Sequence, residues 1–136
     1  MSEIEELLPQ RYPFLFVDEI ISADKNEIIG TKNYDASFLY FQEHVPGQKI
    51  VPNSILIESI VQCGGAGINK IGLFEKSLWG LASIEKVHFF GLIEPDTLVK
   101  MVVKNLKLSH KIIKQTGIAF CHEKKILEAT WMCLKL

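Results

Sequence analysis

The stretch Asn53–Ile71, NSILIESIVQCGGAGINKI, decides the fold. Its apolar residues point in every direction around a helix, and a helix without a polar face is buried on all sides. Asn53 is a favourable N-cap residue that follows Pro52, so the stretch is predicted to form one long, buried helix. Three glycines lie within it: Gly64, Gly65 and Gly67. Because each glycine lowers the stability of a helix by roughly 1 kcal/mol relative to alanine, we expect another backbone to pack closely there.

The segments before this helix predict short elements. A helix over Ser2–Leu8 ends before the proline that follows, because the residue that precedes a proline avoids the helical region. Aromatic and β-branched residues predict strands over Phe14–Ile21 and Glu27–Asn33. A short helical turn over Ser37–Phe41 and a loop over Glu43–Pro52 lead to the long helix.

The segments after the helix predict a sheet. Four long strands are expected there: Leu78–Phe90, Thr97–Ser109, Lys111–Phe120 and Lys125–Leu136. One apolar helix followed by long strands favours an α+β fold in which an antiparallel sheet wraps around the helix. A single sheet of this kind leaves its edges unpaired, and a dimer that joins two sheets would pair them.

The composition restricts the class of protein. A chain of 136 residues, 48% hydrophobic and 23% charged, is predicted to form one domain over residues 1–136 and not to be disordered. The net charge of −1 argues against a nucleic-acid binder. Three cysteines without C-x-x-C spacing argue against disulfides or a zinc site and fit a reducing cytoplasm. The longest apolar stretch contains charged side chains, so no membrane helix is expected.

Glu58 is the first candidate for chemistry, because it lies in the middle of the apolar helix. No lysine or arginine occurs three or four positions away on either side. An ionised carboxylate is costly to bury without a partner, and burial raises the pKa of a carboxyl group, which keeps a proton donor available near neutral pH. The alternative is a glutamate paired with a distant lysine or bonded to backbone. Gln62, one turn further on, would either orient this carboxyl or bond to backbone.

His44 is the second candidate. Histidine is a suitable base near pH 7, although a histidine in a loop is often only solvated. His44 precedes the turn at Pro46 and Gly47, and Glu58 lies about 7–8 Å along the axis from the start of the helix. A loop that folds back would bring the imidazole near the N-terminus of the helix. Free N–H groups there offer a site for a developing oxyanion.

Three segments resemble a known family. Leu8–Asp18 (LPQRYPFLFVD) is similar to the opening of the bacterial 3-hydroxyacyl-[acyl-carrier-protein] dehydratases of the FabZ/FabA type. Phe41–Gly47 (FQEHVPG) resembles their F-x-x-H-F-P-G motif, and Val51–Glu58 (VPNSILIE) resembles their M-P-G-x-L-x-x-E segment. The spacing between His44 and Glu58 is also that of the family, and the resemblance runs from about Leu7 to the end of the chain.

The resemblance implies a hotdog fold and a dimer, often assembled into a trimer of dimers, with the active site at the dimer interface. It implies that His44 removes the C2 proton of a 3-hydroxyacyl thioester carried by acyl carrier protein, and that Glu58 protonates the departing 3-hydroxyl. The backbone N–H of Asn53 would polarise the thioester carbonyl, with Gly47 and Gln62 in supporting positions. The product is a trans-2-enoyl thioester, and no metal or redox cofactor is expected because each step is a proton transfer.

The chain departs from the family pattern at Asn53, where the family has glycine, at Val45, where it has phenylalanine, and at Lys49, where it has proline. These departures leave the acid and the base in place and indicate a divergent branch. They also keep open a non-catalytic or weakly active subunit, which would bind acyl carrier protein or form a heterodimer with a homologous partner. A further alternative is an acyl thioesterase in which Glu58 activates water, although the presence of the His44 loop argues against it.

Overall fold

The computed structural model describes residues 1–38, 41, 46–47 and 49–136. Its elements are, in chain order, α1 (Glu3–Leu7), β1 (Glu19–Ala23), β2 (Glu27–Tyr34), α2 (Asn53–Ile71), β3 (Trp79–Phe89), β4 (Thr97–Leu108), β5 (Ile112–Cys121) and β6 (Lys124–Lys135). Within these ranges the strands form one antiparallel sheet in the order β1-β2-β4-β5-β6-β3. Helix α2 packs on one face of this sheet, which confirms the predicted α+β arrangement.

The long helix has the predicted bounds, but its N-cap differs from the prediction. Pro52 is the N-cap residue, with φ −57° and ψ 141° and no side-chain capping bond, and Asn53 is the first helical residue. The expectation of burial on all sides holds from Ser59 to Asn69, whereas the first turn at Asn53 and the last residues from Lys70 are not buried. Gly72 closes the helix with a left-handed φ of 72°, a conformation that glycine adopts readily.

The predicted strand Phe14–Ile21 is wrong over its first half, because β1 begins only at Glu19. The reason lies in a long-range contact. Phe16 N donates to Gln62 Oε1 at 2.9 Å, and Phe14 O accepts from Gln62 Nε2 at 2.9 Å. A side chain of α2 therefore satisfies backbone groups that a strand would otherwise pair, and this tertiary contact overrides the local strand preference.

Two of the three helix glycines accommodate close approach, but the groups that approach them are side chains of the sheet and not the backbone that the sequence predicts. A Cβ built on Gly64 would clash with the amide of Gln115 on β5, and one built on Gly67 would clash with Ile28 on β2. Gly65 differs, because its nearest neighbour would be Trp79 Cβ at 3.8 Å, an ordinary contact distance. The sheet therefore requires glycine at two of these positions and not at the third.

A buried polar cluster fastens the helix to the sheet. Gln115 is fully buried, donates to Asn105 Oδ1 at 2.8 Å and to Gly64 O at 3.3 Å, and accepts from Trp131 Nε1 at 3.2 Å. Since a buried polar group is costly unless it is bonded, this arrangement stabilises one register of helix on sheet.

Among the described strands, β3 pairs only with β6 and forms one edge of the sheet. Three of its apolar side chains, Leu81, Ile84 and Phe89, are at least one-third exposed. An edge strand with exposed apolar side chains and free backbone groups is a template for pairing with another strand. Within the described residues, no helix combines the length and apolar character needed to cross a membrane.

Candidate active site

Glu58 lies in the second turn of α2 and is half-buried. Burial raises the pKa of its carboxyl group, and a hydrogen bond from Gln62 opposes part of this increase. Among the ion pairs of the described residues, none involves Glu58. The described residues therefore include no lysine that pairs with Glu58. Its carboxyl group is partly buried without an opposite charge, which is the environment of a proton donor.

Gln62 takes part in three hydrogen bonds, which join it both to backbone and to Glu58. Its Oε1 accepts from Phe16 N and its Nε2 donates to Phe14 O, and Nε2 also donates to Glu58 Oε1 at 3.3 Å. The two backbone bonds determine which end of the amide is oxygen. The N–H₂ group therefore faces the carboxyl group of Glu58, and the supporting role of Gln62 in orienting this acid stays a prediction.

A pocket of about 190 Å³ opens beside Glu58. Four of its lining residues follow one face of α2: Glu58, Val61, Gln62 and Gly65. The N-terminal segment contributes Leu8–Gln10, and the start of β3 with the residues before it contributes Ser77–Leu81. The helix rise of 1.5 Å per residue makes this wall about 10 Å long, from the acid to Gly65.

The N-terminus of α2 presents the predicted oxyanion donor. Asn53 is exposed and occupies the first helical position, where the backbone N–H has no partner within the helix. Its backbone is helical, so a side chain at a position where the family has glycine causes no left-handed strain. Five residues separate it from Glu58, which corresponds to about 7–8 Å along the helix axis.

The predicted base lies outside the described residues, as do Val45 and part of the predicted helical turn and loop. The role of His44 therefore stays a prediction. Gly47 is described and has φ +78°, a conformation that glycine adopts without strain, and a Cβ there would meet open space. Lys49 is described and exposed. The supporting role of Gly47 also stays a prediction.

Other groups offer little competing chemistry. Burial raises the pKa of the Cys63 thiol to about 12 and that of Cys133 to about 12, the latter with a contribution from the charge of Glu58. Both thiols therefore stay protonated near neutral pH and are poor nucleophiles. In the ranges that the structure describes, no cluster of three or more His, Cys, Asp or Glu side chains is arranged to hold a metal ion.

The pocket contains two residues that the sequence did not single out as functional. Gln10 lies in the opening segment that resembles the family, and this resemblance was the signal that could have identified it as functional. Trp79 begins β3 as an ordinary apolar strand residue, so nothing in the sequence pattern distinguished it.

Comparisons with known proteins identify the family of this chain. The FabA-like domain family matches residues 8–130. The 3-hydroxyacyl-[acyl-carrier-protein] dehydratase FabZ of Pelotomaculum thermopropionicum is 32% identical over 133 residues, which cover 97% of this chain and 95% of that protein. FabZ of Koribacter versatilis is 34% identical over 135 residues, which cover 98% of this chain and 86% of that protein.

Solved structures share the architecture. The dehydratase heterocomplex ApeI:P from Xenorhabdus doucetiae matches with a TM-score of 0.86 at 13% identity, covering 100% of this chain and 92% of that one. Cj0977, a sigma28-regulated virulence protein from Campylobacter jejuni, matches with a TM-score of 0.72 at 18% identity, covering 99% of this chain and 89% of that one. At these identities the likeness concerns the fold alone. From the family match and the FabZ relatives together, the chain belongs to the FabA-like family and has the hotdog fold.

Proposed function

We propose that this protein is a hydro-lyase that dehydrates a 3-hydroxyacyl thioester carried by acyl carrier protein to the trans-2-enoyl thioester, in fatty-acid or related acyl-chain biosynthesis. The observation that carries the proposal is Glu58. Its half-buried carboxyl group has a raised pKa, is oriented by Gln62 and lines a pocket. A raised pKa favours the protonated form of a carboxyl group, and a carboxyl group held beside a pocket in this way is suited to general acid catalysis.

In the proposed reaction Glu58 donates its proton to the 3-hydroxyl group as the bond between C3 and oxygen breaks, and water leaves. His44 accepts the proton from C2, and the electron pair of that C–H bond forms the C2–C3 double bond. The backbone N–H of Asn53, at the positive end of the dipole of α2, stabilises the negative charge that develops on the thioester oxygen. Returning the proton of His44 to Glu58 through solvent restores the enzyme.

The proposed assembly is a homodimer formed through β3, with a trimer of dimers as the larger form and a heterodimer as the alternative. Pairing two β3 edges antiparallel would join two sheets and cover Leu81, Ile84 and Phe89. Each site would then combine the histidine of one chain with the acid of the other. We also infer a cytoplasmic location, which the three free cysteines support.

The test of the reaction uses purified protein and a series of 3-hydroxyacyl thioesters, followed by mass spectrometry for the loss of one water. Both Glu58→Gln and His44→Ala are expected to reduce turnover by roughly 100-fold or more, as for general acid–base groups. The matched control is Glu19→Gln, an exposed glutamate on β1, which should retain full turnover. Circular dichroism verifies that each variant is folded.

Other outcomes separate the alternative functions. Release of free thiol without loss of water would identify a thioesterase. If folded protein forms neither product from short, medium and long chains, the dehydratase proposal is wrong, and co-purification with a homologous chain would then identify a partner-dependent subunit.

The test of the assembly is Ile84→Lys, which places a charge on the β3 edge. We expect this variant to shift from dimer to monomer in analytical ultracentrifugation. Leu106→Lys is the control, because Leu106 is 55% exposed on β4, away from the sheet edge. A dimer that survives Ile84→Lys, or that is lost equally in Leu106→Lys, would argue against the β3 interface.

A further inference from the structure

We propose that the pocket beside Glu58 selects acyl chains that carry an oxygen substituent, a hydroxyl group above all, which Trp79 and Gln10 recognise. This inference rests on the proposed dehydratase function and names its substrate class. It concerns a second oxygen, further along the chain than the 3-hydroxyl group that is eliminated.

Two buried side-chain atoms in the described residues have no hydrogen-bond partner, Gln10 Oε1 and Trp79 Nε1. Both residues line the same pocket, and Trp79 is only 7% exposed. The other tryptophan provides the contrast, since Trp131 is also buried but its Nε1 donates to Gln115 Oε1. Unpaired buried polar atoms are uncommon because they lose their bonds to water, so two of them on residues that line one pocket point to a ligand group that would pair with them.

The chemistry of the two atoms defines that group. An indole N–H is a donor only, so Trp79 requires an acceptor such as oxygen. The Gln10 carbonyl oxygen requires a donor. A hydroxyl group provides both, a ketone satisfies Trp79 alone, and a plain alkyl chain satisfies neither. A purely hydrocarbon ligand would therefore leave both atoms unpaired.

The location separates this group from the reacting carbons. The pocket follows one face of α2 from Glu58 to Gly65, about 10 Å along the helix axis. Trp79 lies at the Gly65 end, since its Cβ would be 3.8 Å from a Cβ built on Gly65. A chain whose 3-hydroxyl group meets Glu58 therefore reaches Trp79 with a later carbon.

The experiment compares 3-hydroxyacyl thioesters of one chain length, one with a plain alkyl chain and the others with a second hydroxyl group at successive positions. We expect kcat/KM for at least one hydroxylated chain to exceed that for the alkyl chain by about 10-fold or more, since a site that hydrogen-bonds a substrate group discriminates against its absence. Trp79→Phe and Gln10→Leu should each lower this ratio by about 10-fold. A wild-type preference for the alkyl chain over every hydroxylated one would overturn the proposal.

A binding measurement keeps this proposal separate from the reaction. Calorimetry with the same chains as unreactive amides in place of thioesters tests the pocket even if no chain is dehydrated. Tighter binding of one hydroxylated amide, lost in Trp79→Phe, would support the proposal after failure of the dehydratase assignment. Equal binding of hydroxylated and alkyl amides would overturn it whatever the turnover.

A stability comparison tests whether the indole of Trp79 is unpaired in the free protein. Trp79→Phe removes an unpaired donor, whereas Trp131→Phe leaves Gln115 Oε1 without its partner, and both remove similar volume. We expect the melting temperature of Trp131→Phe to fall well below that of Trp79→Phe. An equal or larger fall in Trp79→Phe would mean that its N–H already has a partner, such as an ordered water, and would overturn the proposal.

Discussion

The adjacent glycines Gly64 and Gly65 provide the sharpest test of how α2 packs. Replacing either with alanine adds one methyl group and raises helix propensity, which alone stabilises the fold by about 1 kcal/mol. At Gly65 the added Cβ would lie 3.8 Å from its nearest neighbour, Trp79 Cβ, so this gain should be retained. At Gly64 the added Cβ would displace the amide of Gln115.

The cost at Gly64 follows from the bonds that Gln115 makes. Its amide takes part in three buried hydrogen bonds, with Gly64 O, Asn105 Oδ1 and Trp131 Nε1. Each is worth about 1 kcal/mol, and buried atoms left unpaired add a further 1–3 kcal/mol. After the gain in propensity, we expect Gly64→Ala to destabilise the protein by about 3–5 kcal/mol.

The assay is urea denaturation of both variants, with the free energy of unfolding extrapolated to water and the slope compared with that of wild type. The two substitutions should have opposite signs. If Gly64→Ala were as stable as Gly65→Ala, the described packing of Gln115 against the helix would be refuted. Gly65→Ala should also lower kcat/KM for long-chain thioesters, because its methyl group enters the pocket.

Three further predictions concern single side chains. The free energy of unfolding of Glu58→Gln relative to that of wild type should increase as the pH rises above 4.5, the ordinary pKa of the carboxyl group. The reason is that the folded wild-type protein then binds more protons than the unfolded chain and loses stability with rising pH. Denaturation across pH measures this difference, and a constant difference would contradict a raised pKa. Gln62→Leu removes a bond that lowers the pKa of Glu58, so the alkaline limb of the pH–rate profile should move to higher pH, whereas a purely structural role would leave the limb in place. Tyr34→Phe leaves the buried Ser59 hydroxyl without its tyrosine partner and should cost about 1–3 kcal/mol in urea denaturation, whereas Tyr12→Phe, 81% exposed, should cost nothing.

Local patterns were sufficient for much of the fold. The bounds of α2 followed from continuous apolarity between Pro52 and Gly72, and strands β3 to β6 lie within two residues of their predicted ends. Glu58 was also identifiable, since a lone acid in an apolar helix is unusual wherever the helix packs. In each case neighbouring residues carry the signal.

Long-range contacts decided the remainder. The loss of strand structure at Phe14 depends on Gln62, 48 residues away, and no local preference reveals that contact. The N-cap at Pro52 likewise escaped prediction, because capping preferences favoured Asn53. The position of the base, His44, lies outside the described residues and stays a prediction.

The sequence by itself therefore determined the family, the buried helix α2 and the candidate acid Glu58, because runs of apolar residues and the spacing of motifs are local properties of the chain. Only the tertiary structure decided that β3 is an edge, that Gln62 donates to Glu58, and that Gln10 and Trp79, each with an unpaired buried atom, line one pocket. These features depend on which distant segments meet, and a hydrogen bond or its absence is defined by distance in space and not by position along the chain.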